Sequence, residues 1–188
     1  DIKGIEATET EDGILVKAGS GVVWDKLVEH CINNGWHGLE NLSYIPGTVG
    51  ASAVQNIGAY GCEAKDAIYN IEAIEIETST KHVISNSDCN YSYRHSKFKA
   101  EWKNKFVITN VTYKLSSAFT PHIDYGNIKD ELTKRGYGLT PDAKQLREII
   151  IDIRKAKLPE PEIEGNAGSF FMNPIVERCV YENLAQSY

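Results

Sequence analysis

The 188-residue sequence is short of the features that would assign it to several large functional classes. No apolar run approaches the roughly 20 residues that a helix needs to span a bilayer, and no basic-then-apolar segment opens the chain. The four cysteines (Cys31, Cys62, Cys89, Cys179) stand far apart, with no CxxC pair and no histidine at metal-ligand spacing. A disulfide framework and a metal centre are therefore not expected, and reduced thiols of a cytosolic protein are. An excess of positive charge is also missing: the formal net charge is -6, with acids and bases mixed throughout. A nucleic-acid binder working through phosphate contacts carries a basic surface, so that class is set aside. Local cations can still hold a small anionic ligand. Hydrophobic residues at 41% and charged residues at 24% are ordinary for a globular chain.

The elements that can be read are of both kinds. ILVKA (14–18) reads as a short buried strand closed by Gly19 and Gly21. Trp24, Leu27, Val28 and Cys31 recur at i, i+3, i+4 and i+7, which predicts a helix stopped by Asn34-Gly35. Residues 68–77 and 106–115 are rich in β-branched and aromatic residues and read as strands. A second helix is expected from about Pro141 to Lys157, capped by Thr140, with Leu146, Ile149, Ile150 and Ile153 as its apolar stripe. Pro159 ends it. Strands and helices do not alternate regularly, so the fold class is α+β. The proline- and glycine-bearing segment 158–168 reads as a connector between domains, and the last residues as an unfinished helix.

Four stretches could carry chemistry. Ile45 to Gly61 holds four glycines (Gly47, Gly50, Gly58, Gly61) and almost no charge. Such a backbone can approach a ligand closely and offer successive N–H groups to an anion, yet it is neither a Rossmann nor a Walker pattern, and a turn-rich loop with structural glycines is equally consistent with it. Tyr91 to Lys99 sets aromatic rings beside Arg94 and two lysines, which suits either an anion with a stacked ring or a solvated basic strand end. Arg154 and Lys157 share one face of a helix end, where the dipole alone favours cations. Gly165 to Pro174 places Ser169 beside two phenylalanines, as a turn residue or as a hydroxyl in a desolvated pocket.

Taken in order, these stretches resemble the UDP-N-acetylenolpyruvoylglucosamine reductases. The resemblance is carried by IKGIE, GLENL (38–42), IPGTVGA (45–51), QNIGAYG (55–61), YR-x-S-x-FK (93–99), R-x-x-K-L-P (154–159) and GNAGSFF-x-NP (165–174). Tyr125-Gly126 is similar to the tyrosine loop inserted in one subgroup of that family.

The resemblance implies a vanillyl-alcohol-oxidase-like FAD-binding domain followed by the start of an α+β substrate domain. Its divisions would be 1–117 for the FAD-binding part, 118–158 for the tyrosine loop and helix, and 159–188 for the substrate domain. It implies FAD and NADPH as cofactors, a UDP-sugar as substrate, no obligate protein partner, and a cytoplasmic bacterial enzyme of peptidoglycan synthesis. Pro46, Gly47, Thr48, Val49, Gly50, Ser52, Ile57, Gly58 and Gly61 would lie against the flavin and its pyrophosphate. Arg94, beside Tyr93, would polarise the enolpyruvyl group, and Ser169 would protonate the carbanionic carbon. Arg154 would bind the substrate carboxylate, while Tyr125, Lys157 and Asn173 would hold the UDP part.

His95 stands where the family commonly has an acid, and Met172 where it has a lysine. The resemblance also leads one to expect a phosphate-binding loop before residue 1 and a catalytic glutamate after residue 188. On that expectation the 188 residues alone bind FAD weakly and turn nothing over. Two other readings are a flavin oxidase of the same fold and a non-catalytic ligand-binding relative.

Overall fold

The computed structural model describes residues 2–159, 163–165 and 173–187, and these fall into two compact units, Asp1–Lys157 and Leu158–Tyr188. The first unit is built on a five-stranded antiparallel sheet in the order β1-β2-β7-β5-β6. Its strands are β1 (Ile5–Thr10), β2 (Gly13–Gly19), β5 (Ile68–Glu75), β6 (Lys81–Ser85) and β7 (Phe106–Leu115). Two shorter strands, β3 (Gly58–Ala59) and β4 (Cys62–Glu63), make a separate hairpin.

Alternation decides which face is covered. Ile14, Val16 and Ala18 of β2, Ile71 and Ala73 of β5, and Val111, Tyr113 and Leu115 of β7 are buried on one side. Lys17 and Glu72 meet at 2.5 Å on the other and remain partly exposed, as expected of an antiparallel sheet with one wet face. The covered side receives α1 (Trp24–Asn33) and α2 (Val49–Gln55). Trp24 anchors this layer. It is fully buried, its ring lies edge-on to Tyr113 at 5.7 Å, and its indole Nε1–H donates to the Leu42 carbonyl at 2.8 Å. Burying a side chain of this size stabilises by roughly 1.5–3 kcal/mol, provided its polar N–H finds a partner as it does here.

Residues 118–157 belong to the same unit and add a second apolar cluster. Ile123, Ile128 and Leu132 pack with Leu146, Ile149, Ile150 and Ile153, joining α3 (Ile128–Lys134) to α4 (Ala143–Lys157). Helix α4 begins at Ala143, two residues later than the sequence suggests. The cap is Asp142 in place of Thr140: Asp142 Oδ1 accepts from the Gln145 N–H at 2.8 Å, and Gln145 Oε1 accepts from the Asp142 N–H at 2.9 Å. That reciprocal pair satisfies two helix-start donors at once. The second unit contributes α5 (Arg178–Ser187), whose described residues are exposed.

Candidate active site

The glycine-rich stretch 45–61 folds into more than a loop. After Pro46 and Gly47, Thr48 caps α2, accepting on its side-chain oxygen from the Ala51 N–H, and the helix ends at Asn56 in a left-handed conformation. Asn56 can hold that turn because its side chain is fully engaged: Nδ2 donates to Glu63 and to the Ser92 carbonyl, and Oδ1 accepts from the Lys65 N–H. The expected nest of free N–H groups does not form at the start of α2. The Val49 N–H donates to the Val22 carbonyl and the Gly50 N–H to the Ser20 carbonyl, both at 2.9 Å, so each is already spent on the neighbouring turn.

The expected cofactor residues consequently divide. Thr48 and Gly50 line a cleft of about 270 Å³ together with Ser20, Val54, Phe98, Trp102, Asn104, Phe106 and Ile108. Val49 and Ser52 do not reach it. They occupy the inward face of α2, 0% and 1% exposed, and the Ser52 hydroxyl donates to the Val49 carbonyl while sharing a 3.0 Å hydrogen bond with the Tyr113 hydroxyl. Ile57 is also packed into the core. Gly58 and Gly61 belong to the hairpin of β3 and β4, and Pro46 and Gly47 are exposed.

A second focus forms at that hairpin. Arg94 sits at the tip of a tight turn in which Ser92 and His95 exchange backbone hydrogen bonds. Its φ of +55° is a left-handed conformation that costs a non-glycine residue energy and is found preferentially where function constrains the backbone. Its Nη2 donates to the Gly58 carbonyl at 2.8 Å, and its guanidinium lies 5.8 Å from the Tyr93 ring centre. Arg154 arrives from α4. Its Nε–H donates to the Tyr44 carbonyl at 2.8 Å, and its side chain also hydrogen-bonds the Tyr60 hydroxyl. Burial, together with the like charge of Arg94, lowers the pKa of Arg154, while Tyr60 and Asp25 act in the opposite direction. Burial raises the pKa of Tyr60, so its hydroxyl keeps its proton beside the arginine.

Tyr125 completes the cluster from the loop before α3. It is exposed, stands edge-on to Tyr60 with ring centres 6.4 Å apart, and lies against Gly61, where an added Cβ would meet the Tyr125 side chain at 3.6 Å. The structure thus brings Arg94, Tyr93, Arg154, Tyr125, Gly58 and Gly61 to one hairpin. Lys157 is exposed at the end of α4, and Asn173 is exposed in the second unit. Ser169 lies outside the described residues.

Tyr60 and Asn41 carry no individual signal in the sequence, although they lie within QNIGAYG and GLENL. For Ser20, Trp102 and Phe106 no sequence signal marked the cleft. Burial pushes the Cys31 thiol up to about 12 and the Cys62 and Cys89 thiols up to about 11. None of the four cysteines is paired. Among the described residues no cluster of three or more potential ligands could hold a metal ion, and no helix is long and apolar enough to cross a membrane.

The chain is similar in sequence and in fold to proteins already known. Residues 2–83 match the FAD binding domain family. The UDP-N-acetylenolpyruvoylglucosamine reductase of Bacteroides fragilis is 50% identical over all 188 residues, which are 55% of that protein. That similarity runs the whole length of this chain. The enzyme of the same name from Neisseria meningitidis serogroup A is 45% identical over 99% of this chain and 54% of its own. That of Bdellovibrio bacteriovorus is 42% identical over 96% of this chain and 53% of its own. The chain spans about half the length of the reductases it matches. The crystal structure of the Thermus caldophilus reductase superposes with a TM-score of 0.57 at 24% identity, covering 94% of this chain and 55% of that one, and so shares its fold.

Proposed function

We propose that this chain forms the cofactor-side half of an FAD-dependent, NADPH-consuming reductase that converts UDP-N-acetylenolpyruvoylglucosamine to UDP-N-acetylmuramate for peptidoglycan synthesis in the bacterial cytoplasm. The observation that carries the reading is the pairing of Arg94 with Arg154. Each guanidinium feels the other's like charge, Arg154 is part-buried, and although Asp25 and Glu63 offset some of that charge, an anion between the two arginines would be favoured. An enolpyruvyl carboxylate is such an anion, and its planar shape suits guanidinium forks.

The described residues fit the flavin cofactor. A flat aromatic end of a dinucleotide suits the cleft lined by Phe98, Trp102, Phe106 and Ile108, with Ser20 and Thr48 also in its lining. Its volume is that of part of a dinucleotide, with the hairpin glycines Gly58 and Gly61 left for the remainder. FAD, when bound, supplies hydride transfer. The protein's own work is positional and electrostatic. Arg94 and Arg154 hold the carboxylate and stabilise the negative charge that develops toward it. By the family resemblance, Tyr93 would contact the substrate beside Arg94, Tyr125, Lys157 and Asn173 would hold the UDP part, and Ser169 would deliver the proton to the substrate carbon.

Steady-state kinetics of Arg94→Ala in the full-length protein test this reading. Loss of a group that acts on transition-state charge is expected to lower kcat by roughly 100-fold or more with a smaller change in KM. A raised KM at unchanged kcat would reduce Arg94 to a binding group.

A further inference from the structure

Asn41 lies in the single turn Glu40–Leu42 and is 4% exposed. Its Nδ2 donates twice, to the Tyr60 carbonyl at 3.0 Å and to the His122 carbonyl at 2.9 Å. Both partners are carbonyls and can only accept, so the amide nitrogen must face them and the side chain has no equivalent flipped state. Each carbonyl belongs to one side of the Tyr60–Tyr125 pair. Tyr60 is at the hairpin tip where Arg94 and Arg154 converge. His122 is three residues before Tyr125, in a loop without regular structure whose hold on the protein is modest: Ile123 is buried, Phe119 lies 5.2 Å from the His37 ring, and Asp124 is ion-paired with Lys129. Tyr125 itself is 58% exposed and followed by Gly126 at φ +63°.

We propose that Asn41 is a positioning residue that spans the hairpin 58–63 and the 118–126 loop, and thereby sets how well Tyr125 is placed for a uridine diphosphate. The inference rests on the reading of Tyr125 as a UDP contact. Remove the amide and two part-buried carbonyls lose their donor together, so the loop separates from the hairpin to recover solvation. If Tyr125 is then in place only about a tenth of the time, affinity falls about tenfold, since apparent affinity scales with the competent fraction.

The experiment uses the full-length protein with FAD bound: calorimetric titration with UDP for the wild type, Asn41→Leu, Tyr125→Ala and the double variant, with hydrogen exchange followed over residues 118–126. Asn41→Leu is expected to weaken UDP binding about tenfold, to raise exchange at 118–126 while β2, β5 and β7 stay protected, and to add nothing to Tyr125→Ala in the double variant. A merely structural Asn41 would lower the melting temperature without that local exchange and without that non-additivity. Should Asn41→Leu fail to fold, Asn41→Ser, which can reach at most one of the carbonyls, serves with the same expected direction. UDP affinity unchanged in the Asn41 variants but weakened in Tyr125→Ala overturns this inference alone. Affinity unchanged in Tyr125→Ala overturns the inference together with the reading beneath it.

Discussion

Asp25 and Arg147 form a two-pronged ion pair across 122 residues of sequence, with Nη1 at 2.7 Å from Oδ1 and Nη2 at 2.8 Å from Oδ2. The same Oδ1 accepts from the Tyr44 N–H at 2.6 Å, while the Tyr44 carbonyl accepts from Arg154. Helix α4 therefore holds the carbonyl of Tyr44 directly through Arg154 and its N–H through Asp25 of α1, and Tyr44 is left-handed at φ +58° and immediately precedes Ile45-Pro46-Gly47. This arrangement fixes Arg154 relative to the glycine-rich stretch.

Asp25 should make stability depend on acid. Burial opposes its ionisation, but the Arg147 fork and the Tyr44 N–H outweigh that, and its pKa is lowered. A lowered folded pKa means that the stabilisation is present above the unfolded value of about 3.9 and is lost as pH falls through the folded one. Asp25→Asn is expected to cost about 2 kcal/mol at neutral pH, after allowance for partial exposure, and to flatten the acid limb of the stability curve. Thermal melts from pH 7 to pH 3 check both. An unchanged acid limb would show that Asp25 contributes nothing to it.

Gly50 has no room for a side chain. An added Cβ would stand 2.9 Å from Ser20 Cβ and 3.3 Å from its carbonyl oxygen, so Ser20 or the first turn of α2 must shift. Both line the cleft. Gly50→Ala should therefore weaken FAD binding by about tenfold, since 1.4 kcal/mol of strain or misfit suffices. Absorbance titration of the apoprotein with FAD reads this directly, and unaltered affinity would remove the cleft from the cofactor's path.

Lys157 is exposed at the C-terminal end of α4, so any contact it makes with a phosphate is screened by salt. Lys157→Ala should weaken UDP binding several-fold at low ionic strength and less at high, as calorimetry in two salt concentrations would show. Equal affinity with and without the lysine leaves it a charge that merely suits the helix dipole.

The regular elements were legible where side-chain pattern and burial agree. The stretch 106–115 is the central strand β7, with Val111, Tyr113 and Leu115 inward, and the stripe Trp24, Leu27, Val28, Cys31 is the inward face of α1. The stretch 68–77 became the shorter β5, Ile68–Glu75, because Thr78 and the Glu75–Thr80 backbone bond turn the chain there. Helix α2 was not legible. Gly50, Ala51 and Ser52 are a weak helical run, and the helix exists because Thr48 caps it and Val49 and Ala53 are buried against the sheet. The motifs named Arg94, Arg154 and Tyr125, but not their meeting point. That depends on contacts such as Arg154 with Tyr44 and Asn41 with His122, which join residues 110 and 81 positions apart and leave no local trace.

The measurement that tests the central claim most directly is anaerobic stopped-flow absorbance on the full-length protein, with its two half-reactions separated. NADPH is expected to bleach the flavin band, and UDP-N-acetylenolpyruvoylglucosamine to restore it. In Ser169→Ala the first step should survive while the second slows by roughly 100-fold or more, as loss of a general acid requires. A reduced flavin that the enolpyruvyl sugar cannot reoxidise, in a protein that binds both, would contradict the account.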